Sequence, residues 1–311
     1  MAELAGFMHV NVNCSDLARS RRFYQDGVGL VASAHTRPEK PQPGAGFGIA
    51  GDALWDAWVL DDPRGMGASA SLDLLEWRIP RPIGKPPGAA PALGIHRVGY
   101  AVPSLDAALS RMASAGGTSL PAGSVVRGGA SRRFAWVFDP DGTVVEVVED
   151  PGCAQAVEAR HVAVVCSDLE RAVAWYGDVL GLEVSERERA ARGPGASYGR
   201  SGDAAWDAAL LRVPHRPAQY ALRLEHWRTP AAAARVPAVA NQLGPFRVAF
   251  LVDDVHAWHA DLERRGVRAT GPPVWLEMGP EIPIDGLWAL FFPDPDGACV
   301  ELIQTPPVRA T

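Results

Sequence analysis

Apolar and polar residues alternate along several short segments of the chain, and helical patterns separate these segments. Residues 7–14 alternate in this way and predict a β-strand. Ser15 or Asp16 can cap the helix that follows, since their side-chain oxygens accept hydrogen bonds from free backbone N–H groups. Short strand-like runs then follow at residues 46–49, 53–60 and 70–77. The pattern therefore predicts a β-α-β-β-β unit.

The same unit is predicted four times. A strand at 95–102 and a helix at 105–115 restart the pattern after a proline-rich connector. The second half of the chain then repeats the first about 150 residues later. His9 recurs as His161, Glu76 as Glu225, and the Asp-Pro-Asp-Gly turn of residues 139–142 as that of residues 294–297. We number the units one to four, and they begin near His9, His96, His161 and Phe246.

Length, charge and composition narrow the class of protein. The chain has 311 residues, of which 47% are hydrophobic and 21% charged, as in ordinary globular proteins. A net charge of −6 argues against a nucleic-acid surface, which would be basic. No apolar run of membrane-spanning length and no leader pattern occurs, and the four cysteines form no Cys-x-x-Cys pair. We therefore expect a cytoplasmic protein that binds neither nucleic acid nor membrane.

Several motifs together resemble one known family. They are the histidine of the opening strand, the Ser-Asp-Leu helix starts at 15–17 and 167–169, and the closing hairpins at 138–146 and 292–301. In combination they resemble the vicinal oxygen chelate superfamily of glyoxalase I, extradiol dioxygenases and bleomycin-binding proteins. The resemblance implies an α+β fold class, in which four β-α-β-β-β modules pair into two cupped, mixed-sheet half-barrel domains.

The expected glyoxalase-like domains are residues 1–150 and 151–311. Their modules cover about residues 7–78, 95–150, 159–228 and 245–305.

The resemblance also implies one divalent metal ion, held by the opening and closing strands of paired units. The implied ligands are His9 and Glu76, His96 and Glu146, His161 and Glu225, and Glu301. Phe246 stands at the opening position of unit four. Imidazole and carboxylate ligands suit Fe, Mn, Co, Ni or Zn, and the sequence does not choose among them.

Strand alternation supports a buried role for Glu146, which shares a face with two valines. A buried carboxylate costs several kcal/mol unless it is paired or bound to a cation. A metal ion would satisfy this requirement. Alternatively, the glutamate lies on the outer, solvated side of the sheet or pairs with an arginine such as Arg133. The sequence leaves these alternatives open.

The units could pair in two ways. Sequential pairing, of one with two and three with four, gives the site His9, Glu76, His96 and Glu146. Crossed pairing, of two with three and one with four, gives His96, Glu146, His161 and Glu225. We favour sequential pairing because elements adjacent in sequence tend to be neighbours in space.

Three functions are compatible with these residues. The first is metal-dependent lyase or isomerase chemistry on a small oxygen-rich substrate, with a metal-stabilised enolate and Glu146 as the base. The second is Fe(II)-dependent dioxygenation of the extradiol type by His9, His96 and Glu146. The third is a metal-free protein that binds a small molecule or antibiotic by aromatic stacking. The expected partner is a small-molecule substrate, and the expected assembly is a monomer or homodimer.

Overall fold

The computed structural model describes residues 3–127, 129–216, 220–233 and 239–306. Unit one contains β1 (Leu4–Asn13), α1 (Leu17–Arg22), a π-helical turn (Phe23–Val28), β2 (Val31–Thr36), β3 (Gln42–Pro43), a 3-10 turn (Gly44–Phe47), β4 (Asp52–Asp61) and β5 (Ser71–Ile79). Unit two contains β6 (Gly94–Val102), α2 (Leu105–Ser114), β7 (Thr118–Ser119), β8 (Gly123–Arg127), β9 (Ala130–Phe138) and β10 (Val144–Glu149).

The second half repeats this order of elements. Unit three contains β11 (Glu158–Val165), α3 (Leu169–Leu180), β12 (Glu183–Pro194), a 3-10 turn (Gly195–Tyr198), β13 (Asp203–Arg212) and β14 (Ala221–Thr229). Unit four contains β15 (Gly244–Val252), α4 (Val255–Arg264), β16 (Val274–Glu277), β17 (Gly286–Pro293) and β18 (Cys299–Gln304). The predicted α+β fold class of four such units is confirmed.

Local sequence explains where helices begin and where one strand prediction is wrong. Asp16 caps α1 by accepting a hydrogen bond from the N–H of Arg19 at 2.9 Å, so Asp16 rather than Ser15 is the cap. The strand expected at residues 46–49 does not form, since Gly46 and Phe47 belong to the 3-10 turn Gly44–Phe47 and Gly48 follows its end. Gly48 ends this turn at a φ of 72°, a left-handed conformation that glycine adopts without strain.

The strands form two sheets, and each sheet combines units from both halves. In one sheet β1 pairs antiparallel with β15, and in the other β6 pairs antiparallel with β11. Units one and four therefore form one curved sheet, which we call the first cup, and units two and three form the second cup. The pairing is crossed, so the favoured sequential pairing is wrong.

Sequential units contact each other through their helices and turns instead of their sheets. The hydroxyl of Tyr24 in unit one donates to Asp139 of unit two at 3.1 Å, and Tyr176 of unit three donates to Asp294 of unit four at 3.0 Å. The tendency of sequence neighbours to lie together is thus satisfied in the helix layer, which leaves the sheet edges to pair across the halves. The domain boundary at residue 150 stays a prediction.

Three groups of buried side chains hold the molecule together. The largest lies on the helix side of both sheets, and the other two fill the concave sides of the first and second cups. In the part of the chain that the structure describes, no helix is long and apolar enough to span a membrane.

Candidate functional site

Strand register identifies the equivalent position on the last strand of every unit. In unit two Glu146 lies opposite Gly99, and in unit four Glu301 lies opposite Ala249. The corresponding pairs in units one and three are Asn11 with Asp73 and Ala163 with Arg223. The four equivalent closing-strand residues are therefore Asp73, Glu146, Arg223 and Glu301.

The helix caps identify the equivalent position on each opening strand. His9 precedes the cap of its helix, Asp16, by the same number of residues as His161 precedes Asp168. At that distance before the caps of α2 and α4 stand Arg97 and Arg247. The opening positions are therefore His9, Arg97, His161 and Arg247, and the predicted match of His96 and Phe246 with His9 is one residue too early.

His96 lies beside the opening position, at an irregularity in the pairing of β6 with β11. Its imidazole lies 5.4 Å from the ring of Trp136, and its Nε2 is 3.2 Å from the carbonyl of Ala90. Burial, followed by the charge of Arg97, lowers the pKa of His96 to about 4. His96 is therefore neutral at physiological pH.

Glu76 and Glu225 are not equivalent in the structure, although the repeat in the sequence aligns them. Asp56 lies opposite Glu76, whereas Asp207 lies opposite His226. A shift of one residue along a strand moves a side chain to the other face of the sheet. Glu76 consequently faces the helix, where it accepts a hydrogen bond from the N–H of Leu17 at 2.9 Å.

The second cup contains a buried network of arginines and glutamates. Arg97 donates from Nε to Glu146 at 2.9 Å, and from Nη1 and Nη2 to Glu225 at 2.8 and 2.6 Å. Arg223 donates from Nε to Glu225 at 2.6 Å, and from its Nη atoms to Glu188 at 2.8 and 2.7 Å. Burial alone would raise the pKa of Glu225, but Arg97 and Arg223 hold it well below its usual range.

His161 completes the second cup. Its Nε2 lies 3.4 Å from a carboxylate oxygen of Glu146. The imidazole lies directly over Gly99, and a Cβ atom at that position would come within 2.2 Å of its Cε1. Because Gly99 has no side chain, the imidazole of His161 can pack directly against the backbone of β6.

The first cup contains a smaller network. Arg247 donates from Nε to Glu301 at 2.6 Å and from Nη2 to Asp73 at 2.8 Å. The Nε2 of His9 lies 3.1 Å from Glu301 and 3.8 Å from Asp73. Burial opposes ionisation of Glu301, but the charge of Arg247 and the contact with His9 lower its pKa. Sequence reasoning missed Asp73, which the parallel register with β1 would have identified.

The residues predicted to bind metal are divided between the two cups. His9 belongs to the first cup, whereas His96 and Glu146 belong to the second, and Glu76 faces the helix side of its sheet. The crossed set brings Glu146, His161 and Glu225 together, but the guanidinium of Arg97 lies between the two glutamates. No group of three or more His, Cys, Asp or Glu side chains within the described residues is arranged as a metal site. The residues as arranged do not fit a divalent metal ion.

Aromatic side chains fill both cups above these networks. In the first cup the ring of Phe47 lies 5.0–5.7 Å from three other aromatic rings, those of Trp55, Trp77 and Phe291. In the second cup Tyr198 lies 5.0–5.6 Å from the rings of Trp136, Trp206 and Trp227. The tryptophans that recur between the halves are therefore buried core residues.

An open cavity lies on the other side of the first sheet, beside the start of α1. It has a volume of about 430 Å³ and is lined by Ser15, Asp16, Leu17, Ala18, Arg21, His35, Asp56, Trp58, Glu76 and Arg78. We call it the Trp58 cleft. The imidazole of His35 stacks on Trp58 at 4.3 Å, and the guanidinium of Arg21 lies 3.7 Å from the same ring system. A cavity of about 280 Å³ lies at the equivalent place in unit three.

Comparison with known proteins agrees with this fold. The sequence pattern of the family described as the Glyoxalase/Bleomycin resistance protein/Dioxygenase superfamily matches residues 6–147 and again residues 159–302. Among solved structures, glyoxalase I from Zea mays is 17% identical with a TM-score of 0.66, and the alignment covers 96% of this chain and 92% of that one. A putative dioxygenase from Bacillus subtilis is 14% identical with a TM-score of 0.62, over 99% of this chain and 87% of that one.

At these identities the solved structures establish the fold alone, and no curated protein matches the sequence. The family pattern, however, covers nearly the whole chain in two copies, in agreement with the repeated units and the two cups. The chain therefore belongs to the Glyoxalase/Bleomycin resistance protein/Dioxygenase superfamily.

Proposed function

We propose that this protein binds a small organic ligand in the Trp58 cleft and does so without a metal ion. The single observation that carries the proposal is the contrast between a filled cup and an open cleft. Both cups are occupied by packed aromatic rings and ion pairs, whereas the cleft has a volume of about 430 Å³. Sites for small organic ligands typically have volumes of about 300–1,000 Å³.

The side chains of the cleft indicate the class of ligand. Three carboxylates line the cleft, those of Asp16, Asp56 and Glu76, beside two guanidinium groups and the imidazole of His35. Although burial opposes ionisation of Asp56, its bonds to His35 and Arg78 lower its pKa, so this group is a charged acceptor. Carboxylate acceptors beside an aromatic wall are consistent with a ligand that carries an amine or another cationic group on an apolar frame.

Metal-dependent lyase or isomerase chemistry, with Glu146 as the base, is less well supported by the geometry. Glu146 accepts hydrogen bonds from Arg97 and from the indole N–H of Trp136 at 3.1 Å. Both donors are buried with it, so this carboxylate is already bonded within a filled cup. The dioxygenase hypothesis needs His9, His96 and Glu146 at one metal ion, and these residues lie in two different cups.

A binding experiment tests the proposal. Tryptamine is a suitable first probe, because it carries an amine on an aromatic frame. We expect calorimetry to detect saturable binding to protein treated with a chelator. Trp58→Ala should weaken this binding about tenfold or more, as expected for the loss of a ring that contacts the ligand.

Trp275→Ala is the matched control, since Trp275 is 37% exposed and lies outside the cleft lining. It should bind the probe as the unsubstituted protein does. Equal weakening by both substitutions would contradict a site at Trp58. No binding of tryptamine would contradict the proposed class of ligand. Binding that appears only when a divalent metal is added would favour the enzyme hypotheses instead.

A further inference from the structure

The charged centres of the cups suggest why the expected metal ligands are ion-paired. We propose that an arginine guanidinium replaces the metal ion in both cups, and that the first cup is one substitution away from a metal site. The inference concerns the cups and does not depend on ligand binding in the Trp58 cleft.

The buried arginines stand at the opening positions of units two and four. Arg97 and Arg247 occupy the places on β6 and β15 that His9 and His161 occupy on β1 and β11, as the distances to the helix caps show. Each guanidinium lies between carboxylates from two different units: Arg97 between Glu146 and Glu225, and Arg247 between Asp73 and Glu301. A positive charge therefore already bridges the units where a bound cation would do so.

The charge of the buried arginine opposes the binding of a metal ion. Arginine keeps its proton at every physiological pH, so its charge is permanent. Burial disfavours the charge of Arg247, but Glu301 and Asp73 more than compensate and raise its pKa. Its Nε lies 2.6 Å from the same Glu301 oxygen that contacts His9. A metal ion bound to that oxygen would meet a second cation at close range, and the repulsion in a buried site is large.

The two cups differ in the side chains that surround the arginine of the opening position. Around Arg247 stand His9, Asp73 and Glu301, which supply one imidazole and two carboxylates. Around Arg97 stand His161 and Glu146, but the closing-strand position equivalent to Asp73 holds a second cation, Arg223. Removing one arginine therefore leaves three ligands in the first cup and, among the described residues, no buried arginine beside them, whereas it leaves the buried Arg223 in the second.

Two matched substitutions test this difference. Arg247→His should complete a set of two imidazoles and two carboxylates, which suits Co(II) and Zn(II). Arg97→His places the same residue at the equivalent position, but Arg223 should still exclude the ion. The protein is dialysed against excess Co(II), separated from free metal, and examined for bound metal per chain and for the visible absorption of coordinated Co(II).

We expect the unsubstituted protein and Arg97→His to retain almost no cobalt, and Arg247→His to retain about one ion per chain with a visible absorption band. About one ion per chain in the unsubstituted protein would overturn the replacement of the metal. A folded Arg247→His protein without cobalt, or equal uptake by the two variants, would overturn the inference about the first cup.

Folding is followed by circular dichroism with and without Co(II). An Arg247→His chain that folds only when Co(II) is present supports the inference, since metal binding then supplies folding energy. If that chain does not fold in either condition, Arg247→Gln provides the same test with a neutral oxygen ligand. A folded Arg247→Gln chain with bound cobalt would support the inference, and one without cobalt or unable to fold would count against it.

Discussion

The two cups share one set of strand positions but neutralise their buried charges differently. In the first cup one guanidinium, from Arg247, bridges Asp73 and Glu301. In the second cup Arg223 stands where the first has Asp73, so that two guanidinium groups are buried together. Two further acids compensate there: Glu225 stands where the first cup has Leu75, and Glu188 where it has Thr36.

The comparison shows that the fold conserves positions while the chemistry at those positions changes as a group. The acid-to-arginine change at Arg223 adds a buried positive charge, and the two extra glutamates bond to that same arginine. A single member of this group would be left as an unpaired buried charge, which costs several kcal/mol. Arg223, Glu225 and Glu188 of the second cup therefore form one electrostatically coupled group.

The largest expected effect on the free energy of unfolding comes from disrupting this electrostatically coupled group. Arg223→Asp alone surrounds Arg97 with four carboxylates and should lower the free energy of unfolding by about 3–5 kcal/mol. Adding Glu225→Leu and Glu188→Thr transfers the charge pattern of the first cup. The triple variant should return to within about 1 kcal/mol of the unsubstituted protein, a coupling typical of contacting residues. Urea unfolding measures both differences. A triple variant as unstable as the single one would show that the cups are not interchangeable.

A smaller effect is expected where each histidine contacts the opposite strand. Gly99→Ala places a methyl group against the ring of His161 and should cost about 1–3 kcal/mol through overpacking. In the first cup Ala249 lies opposite His9, so the methyl group is already accommodated. Ala249→Gly should therefore cost only about 1 kcal/mol, mainly through backbone entropy. Thermal or urea unfolding distinguishes the two, and equal costs would contradict the different seating of the histidines.

Much of the architecture follows from sequence, because strand alternation and helix caps are local signals. The four units follow from these signals, and so does a cap at Ser15 or Asp16, which the structure assigns to Asp16. Strand alternation also places Glu146 on an apolar face, and this residue is buried. The two alternatives for a buried Glu146 were a metal ion or an arginine, and the structure has the arginine, Arg97 instead of Arg133. The local pattern indicates that a buried Glu146 needs a cationic partner, but it does not reveal which side chain reaches across the cup.

Pairing and register were beyond such signals. Proximity in sequence favoured units one and two as partners, whereas their contact through Tyr24 and Asp139 lies in the helix layer. Matching glutamate to glutamate aligned Glu76 with Glu225, although drift in the repeat makes His226 the counterpart of Glu76. A one-residue error is invisible in composition but reverses the face of a strand, and so it changes the whole site.

The smallest expected difference between the halves lies where they have kept the same chemistry, and there we expect two equal effects. Burial raises the pKa of Asp139 and of Asp294 to about 6, although backbone and tyrosine hydrogen bonds oppose the shift. A carboxyl group with a raised pKa in the folded state contributes stability below pH about 4, and this contribution is lost as the pH rises through about 6. The asparagine variants cannot ionise. The stability of Asp139→Asn and of Asp294→Asn, measured relative to the unsubstituted protein, should therefore rise by on the order of 2 kcal/mol as the pH is raised from 4 to 6.5. Urea unfolding at several pH values measures this gain, in which the other titrating groups cancel. Gains of clearly different size would mean that the two hairpins, unlike the sequences that form them, have diverged as the cups have.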